Sequence, residues 1–339
     1  MDFWRYSRQV ALESIGFSGQ EKLKSANVSV VGLGGLGSQV AMSLAAMGVG
    51  KLILVDFDVV SEPDLHRQLI FTEEHIGMSK VEAAALELKK RNSSVKVEPL
   101  CVFVDEKSAE KAVKDADLVL DCLDTLSSKY ALNRACIEHK KALVFGSALE
   151  EYGMVSVFKP WVSACIECVY PNLSDEGLPT CATAGVLPQL VQLVGSIMAA
   201  QAVKQILGQN TLLDTLLFID LKDASFEKVS LLRNPNCPAH LGLPLSYKND
   251  VTEMCTRNGR RLLMLKLENP PKIEEALTKL SQNSVNAKLV GTQVLSFVDE
   301  QGSRFSYTSA GVLLAEISEV YSTIDEAKLV VERVSRMLN

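Results

Sequence analysis

The chain has 339 residues, of which 47% are hydrophobic and 22% charged, a composition that fits a soluble protein with a full core. Its formal net charge of -6 excludes the basic footprint of a nucleic-acid-binding protein, and eight cysteines in this length exclude a disulfide scaffold. The first ten residues contain no apolar signal run, and the apolar stretch 185–207 carries four glutamines and a lysine. We therefore expect a cytoplasmic protein in which this stretch is a core helix.

The first 150 residues alternate short apolar strands with helices. A β-branched strand at 27–31 leads into a glycine-rich run, and a helical pattern follows over 36–47. The later elements are strands at 51–55, 95–102, 118–122 and 143–145 and helices at 78–91, 106–115 and 126–140. Such alternation predicts an α/β fold, a Rossmann-like doubly wound parallel sheet covered by helices on both faces.

Beyond residue 150 the pattern changes. Alternating side chains over 152–158 predict an antiparallel extension of the sheet, and a loop rich in Pro, Gly, Asp and Asn at 171–183 precedes the helix at 185–207. Two strands near 215–221 and 226–232 complete this part. Prolines and asparagines over 233–250 predict a domain boundary. We expect a nucleotide-binding domain over 1–242, with the 171–183 segment as a crossover loop, and a small α+β domain over 250–339.

The glycine-rich run contains Gly32, Gly34 and Gly37 between a strand and a helix. This context favours a tight turn whose backbone N–H groups face a phosphate. Asp56 ends the second strand, 24 residues after Gly32, where an acid accepts the ribose hydroxyls of a nucleotide. These features alone are compatible with a dinucleotide-dependent oxidoreductase.

Other charged residues argue against a purely redox site. Arg67 and Lys80 follow the ribose acid, and Asp121 and Asp124 follow the fourth strand. A strand-end carboxylate can hold magnesium, and cations can neutralise a leaving pyrophosphate. The pattern favours a site at which the phosphates of a nucleotide are attacked.

At this point the sequence resembles the ubiquitin-activating and molybdopterin- or thiamine-biosynthesis adenylyltransferase superfamily. The resemblance covers about residues 4–240. The matching stretches are RYSRQ (5–9), GLGGLG (32–37), VDFD (55–58), DLHRQ (64–68), SKVEAA (79–84), DCLDT (121–125) and TCATAGV (180–186). It implies that the C-terminal glycine carboxylate of a ubiquitin-like protein attacks the α-phosphate of ATP, which gives an acyl-adenylate and pyrophosphate.

The resemblance also implies a role for each matching residue. Asp56 would bind ribose, Arg67 and Lys80 would hold phosphates, and Asp124 would hold Mg²⁺. Arg8 would be an arginine finger that reaches the ATP of a partner subunit in a homodimer. The whole implied nucleotide site is Gly32, Gly34, Gly35, Gly37, Asp56, Asp58, Asp64, Arg67, Lys80 and Asp124.

Two positions depart from the family pattern. Family members often have Asn where Asp64 and Thr125 stand here. An additional acid near the triphosphate can weaken ATP binding or recruit metal, so we expect Asp64 to alter the site.

Two pairs of residues, each with two residues between its members, could bind a metal ion. Cys165 and Cys168 form one pair, and Cys237 and His240 form the second. Three thiolates and an imidazole make a tetrahedral Zn²⁺ site, whereas two incidental pairs without metal are the alternative. In the resembling family both pairs are normally cysteines, so His240 is a departure that zinc chemistry allows.

Cys181 lies in the crossover loop before a predicted helix, a position that favours a thiolate. The resemblance implies that it takes the activated carboxyl as a thioester or joins in sulfur transfer. An inert loop thiol is the alternative.

We expect an activating enzyme for a ubiquitin-like protein ending in Gly-Gly, using ATP, Mg²⁺ and Zn²⁺ and passing the product to a conjugating enzyme. Adenylation of a sulfur carrier for molybdopterin, thiamine or tRNA thiolation is the nearest alternative. An NAD-dependent oxidoreductase and a non-catalytic binding scaffold are less favoured. By its position and size, the C-terminal domain is interpreted either as ubiquitin-fold-like, recruiting a conjugating enzyme, or as a dimerisation or stability appendage.

Overall fold

A computed structural model of the protein describes residues 3–175, 178, 184–245, 251–257 and 260–339. The strands are β1 Asn27–Val31, β2 Lys51–Asp56, β3 Lys96–Cys101, β4 Leu118–Asp121, β5 Ala142–Leu149, β6 Tyr152–Phe158, β7 Thr215–Asp220, β8 Ser225–Ser230, β9 Thr252–Arg257, β10 Arg260–Lys266, β11 Lys288–Val290, β12 Val294–Val298, β13 Arg304–Thr308 and β14 Val312–Glu316.

The α-helices are α1 Ser7–Val10, α2 Gly16–Ser25, α3 Gly35–Met47, α4 Lys80–Arg91, α5 Ala109–Val113, α6 Leu126–Glu138, α7 Ile166–Val169, α8 Pro188–Leu207, α9 Ile273–Gln282 and α10 Ile324–Leu338. The strands form two sheets, and these fall on either side of the boundary expected between residues 242 and 250.

The first sheet has eight strands in the order β3-β2-β1-β4-β5-β6-β7-β8. Its first five strands pair in parallel, and the pairs from β5 to β8 are antiparallel. This confirms the predicted Rossmann-like sheet and its antiparallel extension. Chain order reverses between β1 and β4, and the crevice at the carboxyl ends of strands beside such a reversal is where ligands bind in open α/β sheets.

The apolar helix α8 packs against α3 and β5, inside the first domain. Leu190, Val194 and Met198 are fully buried along one side of it. By length and composition alone α8 is apolar enough to cross a membrane. Its packing against the sheet agrees with the core helix expected from its glutamines and lysine.

The second sheet has six strands in the order β11-β12-β13-β14-β10-β9 and lies with helices α9 and α10, as expected for a small α+β domain. Every strand pair described in this sheet is antiparallel.

Candidate functional site

The glycine loop lies where β1 meets α3. Gly32 has φ +89°, and a Cβ there would lie 2.7 Å from the carbonyl oxygen of Cys122, so both its backbone conformation and its surroundings require glycine. A Cβ on Gly37 would collide with the carbonyl oxygen of Gly32. Gly34 precedes the first residue of α3, Gly35, so the positive end of the helix dipole is at the loop. The loop has the geometry of a phosphate cradle.

Asp56 holds the glycine loop to the second strand. Its Oδ2 accepts a hydrogen bond from the Leu33 N–H at 2.6 Å, and its Oδ1 accepts one from the Asp58 N–H at 2.8 Å. Burial raises the pKa of this carboxyl, whereas the nearby Lys80 ammonium and the two N–H donors act in the opposite direction. The strand-end position expected for a ribose acceptor is therefore combined with a structural role in the loop.

Lys80 is the buried cation of the site. It is 5% exposed, and its Nζ lies 2.7 Å from Asp58 Oδ2 and 3.6 Å from Asp64 Oδ2. Its backbone N–H also donates to the Asp58 carbonyl oxygen at 2.9 Å. Asp58 and Lys80 are 22 residues apart in sequence, and these two hydrogen bonds join them in the structure. The Lys80 ammonium is thereby held close to the end of β2.

Arg67 and Asp64 belong to one compact turn. The Arg67 guanidinium donates to the Pro63 carbonyl oxygen at 2.6 Å and to Asp64 Oδ1 at 3.2 Å. Asp64 is 5% exposed and accepts from the Ser61 N–H at 3.0 Å and from Gln68 Nε2 at 2.8 Å, so it caps the turn. In this structure Asp64 positions the two cations of the site rather than presenting a free carboxylate.

Replacing Asp64 with asparagine, the residue usual in the family, should strengthen ATP binding. The turn can persist, because the asparagine oxygen still accepts from Ser61 and its amide can donate to Gln68 Oε1, a buried atom without a partner among the described residues. Loss of one negative charge beside Arg67 and Lys80 should lower the KM for ATP about three- to tenfold. Asp64→Ala removes the cap as well and serves as the comparison in thermal unfolding; an unchanged or higher KM in Asp64→Asn would contradict this account.

Asp124 follows the end of β4 and is exposed. An exposed carboxylate at a strand end is accessible to a hydrated Mg²⁺, and this role of Asp124 remains a prediction. The β4 end beside it is pressed on the glycine loop, since a Cβ at Gly32 would meet the Cys122 carbonyl. Asp124 is two residues after this contact in the chain, on the same carboxyl-end edge of the sheet as the glycine loop.

A buried ion pair between Asp121 and Lys129, which lies at the end of β4, was not predicted from the sequence. Asp121 is fully buried, and its Oδ1 accepts from Lys129 Nζ and from the Leu123 N–H, both at 3.1 Å. Burial raises the pKa of Asp121, and the Lys129 ammonium opposes that shift. Lys129 also donates to the Gly146 carbonyl oxygen at 3.2 Å. A lysine one turn before the apolar Leu132 and two turns before the apolar Cys136 of the predicted helix was the signal that could have found it.

Arg8 is exposed on the short helix α1. The adjoining residues anchor this segment at the far end of α3: Tyr6 lies against Gly48, and Gln9 Nε2 donates to the Met47 carbonyl oxygen at 2.9 Å. The 13 residues of α3 span about 20 Å between that end and the glycine loop. Arg8 is thus not brought to the site of its own chain.

The four predicted metal ligands come together. Cys165, Cys168, Cys237 and His240 present ligand atoms that all lie within 4.8 Å of one another. The Sγ of Cys165 lies 3.7 Å from that of Cys168 and 3.6 Å from that of Cys237, and the Cys168 Sγ lies 3.5 Å from His240 Nδ1. A tetrahedral zinc with bonds of about 2.0–2.3 Å places its ligand atoms roughly 3.5–3.8 Å apart. The residues fit Zn²⁺.

Surrounding contacts orient these ligands. His240 Nε2 lies 2.6 Å from the Pro160 carbonyl oxygen, which fixes the ring so that Nδ1 faces the thiols. Hydrogen bonds from the Cys165 thiol and from backbone N–H groups lower the pKa of Cys168 to about 5, so a thiolate is favoured there. Beside the cluster, the buried Glu167 forms two hydrogen bonds with Arg134, at 2.9 and 2.8 Å.

Cys181 lies outside the described residues, so its predicted role is not addressed by this geometry. Two described residues on either side of it in the sequence contact the first domain. Asp175 accepts from the Leu126 and Ser127 N–H groups at 2.6 and 3.1 Å, at the start of α6 and next to Asp124. The Gly185 carbonyl oxygen accepts from the Glu150 N–H at 2.9 Å.

Comparison with known proteins agrees with the geometry. The sequence model of the ThiF family matches residues 6–239. The chain belongs to the ThiF family. A relative named SAMP-activating enzyme E1, from Haloferax volcanii, is 39% identical over 236 residues, which cover 69% of this chain and 87% of that protein. The sulfur carrier protein adenylyltransferase of Thermus thermophilus is 40% identical over 241 residues, covering 69% of this chain and 89% of its own.

Two further likenesses cover a smaller share of the other protein. The adenylyltransferase and sulfurtransferase MOCS3 of Drosophila persimilis is 36% identical over 247 residues, and the match covers 72% of this chain but 55% of that longer protein. The crystal structure of E. coli MccB with succinimide has a TM-score of 0.62 and 23% identity, covering 70% of this chain and 74% of its own, and so supports the fold alone.

Membership of the ThiF family confirms the resemblance on which the sequence interpretation rested, and the named relatives confirm the adenylyltransferase class. The NAD-dependent oxidoreductase is dropped for the same reason. The family match ends at residue 239, so the C-terminal domain lies beyond it.

Proposed function

We propose that this ThiF-family protein adenylates the C-terminal glycine carboxylate of a ubiquitin-like protein that ends in Gly-Gly. The observation that carries the proposal is that the glycine loop after β1, the Asp58–Lys80 pair after β2 and the residues after β4 all follow the carboxyl ends of adjacent parallel strands. The relatives named for SAMP activation and for sulfur carrier adenylation support a small protein substrate.

In the proposed reaction a carboxylate oxygen of the substrate attacks the α-phosphorus of ATP. A bond forms between that oxygen and the phosphorus, and the bond from the α-phosphorus to the bridging oxygen breaks, so pyrophosphate leaves with that electron pair. Lys80 and Arg67 would hold the phosphates, Asp56 would accept the ribose hydroxyls, and Asp124 would hold Mg²⁺. When bound, Mg²⁺ supplies positive charge to the leaving pyrophosphate.

The proposed assembly is a homodimer. Arg8 lies at the end of α3 opposite the glycine loop, which suits a residue that serves the ATP site of a second subunit. A cytoplasmic location and a structural zinc at the cysteine–histidine cluster belong to the same proposal.

The step after adenylation distinguishes two outcomes. In the first, the Cys181 thiolate attacks the carbonyl carbon of the acyl-adenylate, AMP leaves, and the thioester passes to a conjugating enzyme. In the second, a hydrosulfide-level sulfur donor attacks the same carbonyl carbon, AMP leaves with the electron pair of the C–O bond, and the product is a thiocarboxylate. The SAMP-activating relative favours the first, and the sulfur carrier adenylyltransferase favours the second.

ATP–pyrophosphate exchange with a Gly-Gly-terminated ubiquitin-like protein tests adenylation, with the same protein lacking its last glycine as the control. Exchange should require the intact terminus. The absence of exchange with every such protein tried would oppose the proposal.

Cys181→Ala should retain exchange and lose a thiol-sensitive adduct with the substrate protein on a non-reducing gel. This outcome is expected because the nucleophile acts after the adenylate has formed. An adduct that persists in Cys181→Ala would exclude this cysteine.

A further inference from the structure

The C-terminal sheet buries both of its faces. Along β10, Leu263 and Leu265 pack towards α9 and α10, whereas Leu262 and Met264 belong to a second apolar cluster on the opposite face. The strand β14 alternates in the same way. Leu262 is 1% exposed and Met264 is 7% exposed, so the second face is covered as well as the first. Strands with continuous apolar runs are typical of sheets buried on both sides.

The nucleotide-binding domain covers the second face. We call the apolar cluster on this second face the docking cluster. From the first domain it contains Val59 and Phe103, which are 4% and 7% exposed, and Phe57 packs against it. The rings of Phe57 and Phe103 meet edge to face at 5.0 Å. From the C-terminal domain the cluster receives Leu262, Met264, Val294, Val312 and Leu314.

The first-domain residues 57–59, which contact the C-terminal domain, also bind the buried Lys80 of the nucleotide site. Phe57 and Val59 flank Asp58, whose carboxylate receives Lys80 Nζ at 2.7 Å. Val59 also forms a β-bridge with Ser79, the residue before Lys80. We call residues 57–59 the nucleotide strap. Its polar side chain is turned to Lys80, and its two apolar side chains pack at the C-terminal domain.

Polar contacts beside the docking cluster also join the two domains. Lys266 forms an ion pair with Asp105, and its Nζ lies 5.3 Å above the Phe103 ring. On the other side of the strap, the Thr292 N–H donates to Glu82 Oε1 at 3.0 Å, and Glu82 is two residues after Lys80. The C-terminal domain therefore grips the chain on both sides of Lys80.

We propose that the docked C-terminal domain is a fixed wall of the nucleotide site, which positions the nucleotide strap and Lys80 for ATP. Lys266 and Thr292 are positioning residues in this arrangement, since neither lies in the crevice. The middle of the C-terminal sheet is then covered on both faces within the chain, by α9 and α10 on one side and by the nucleotide-binding domain on the other. The inference rests on the proposed function only in taking ATP as the nucleotide.

The test is the dissociation constant for ATP with Mg²⁺, measured by calorimetry on the full chain. Lys266→Glu places two acids against each other and should raise the Kd about tenfold, as expected if the docked fraction falls to about one tenth. Thr292→Val removes the hydroxyl that donates to Glu82 Oε1, keeps the backbone N–H bonds to the same carboxylate, and should raise the Kd about threefold. Lys266→Arg should restore the wild-type constant, and Lys288→Glu, the same change at an exposed position of that domain, should leave it unchanged.

Hydrogen exchange gives the reciprocal measurement, because two coupled equilibria must influence each other equally. ATP should slow amide exchange in residues 260–266 and 312–316 of the wild-type protein. Equal constants in wild type, Lys266→Glu and Thr292→Val would overturn the proposal. Failure of the wild-type protein to bind ATP would instead refute the proposed function, and ATP binding without adenylation would leave this inference standing.

Discussion

Lys80→Ala is expected to lower the rate of ATP–pyrophosphate exchange by about 10²–10³-fold, the usual cost of removing one preorganised electrostatic group. The lysine is almost fully buried, and its ammonium is already fixed by Asp58 and Asp64. A fixed charge costs no reorganisation when negative charge moves onto the leaving pyrophosphate. The effect should therefore appear mainly in kcat, with a smaller rise in the KM for ATP.

The matched control is Lys89→Ala, which removes an exposed lysine from the same helix α4. It should leave exchange within about twofold of wild type, because surface substitutions seldom matter. Thermal unfolding of Lys80→Ala separates catalysis from stability, since removing the ammonium leaves Asp58 and Asp64 without their shared cation. A folded Lys80→Ala protein with wild-type exchange would show that the site has been misassigned.

The first domain could be predicted because its signals are local. The strand before Gly32, the helix after it and the acid at Asp56 lie within one short stretch of chain, where backbone and side-chain preferences agree. The two metal-ligand pairs were also recognisable by spacing. Their proximity depends on the tertiary structure, because Cys165 and Cys237 are 72 residues apart in sequence and only the fold brings their sulfur atoms together.

The supporting contacts could not be predicted, because they depend on which buried group faces which. Asp64 was recognised as a departure from the family pattern, but its cap of the Ser61 turn became visible only in three dimensions. The buried Asp121–Lys129 pair joins a strand end to a helix interior, and no periodicity specifies such a pairing.

Docking of the C-terminal domain was missed for a different reason. The apolar runs around Leu263 and Leu314 are compatible with strands buried on one face or on both, and such a pattern does not identify what covers each face. A boundary rich in proline and asparagine suggested a separate module. The docking cluster shows instead that the boundary segment links two units that share an apolar interface.

Loss of the metal is the second large effect that we expect. A Zn²⁺ held at a free concentration about a thousandfold above its dissociation constant stabilises the folded state by about 4 kcal/mol. Cys237→Ser should therefore contain close to no zinc and unfold roughly 8–16 °C below the wild-type protein, since each kcal/mol shifts Tm by about 2–4 °C in a domain of this size. Elemental analysis and calorimetry on protein purified without chelator provide the two measurements.

His240 supplies the sharper comparison, because the family usually has cysteine there. His240→Cys should keep one zinc per chain, since a thiolate replaces the imidazole in the tetrahedron, whereas His240→Ala should lose it. A chelator should lower the Tm of the wild-type protein and of His240→Cys but leave Cys237→Ser unchanged, because only the first two have metal to lose. Wild-type protein that contains no zinc, or a Tm indifferent to chelator, would mean that the four ligands pack together without a metal.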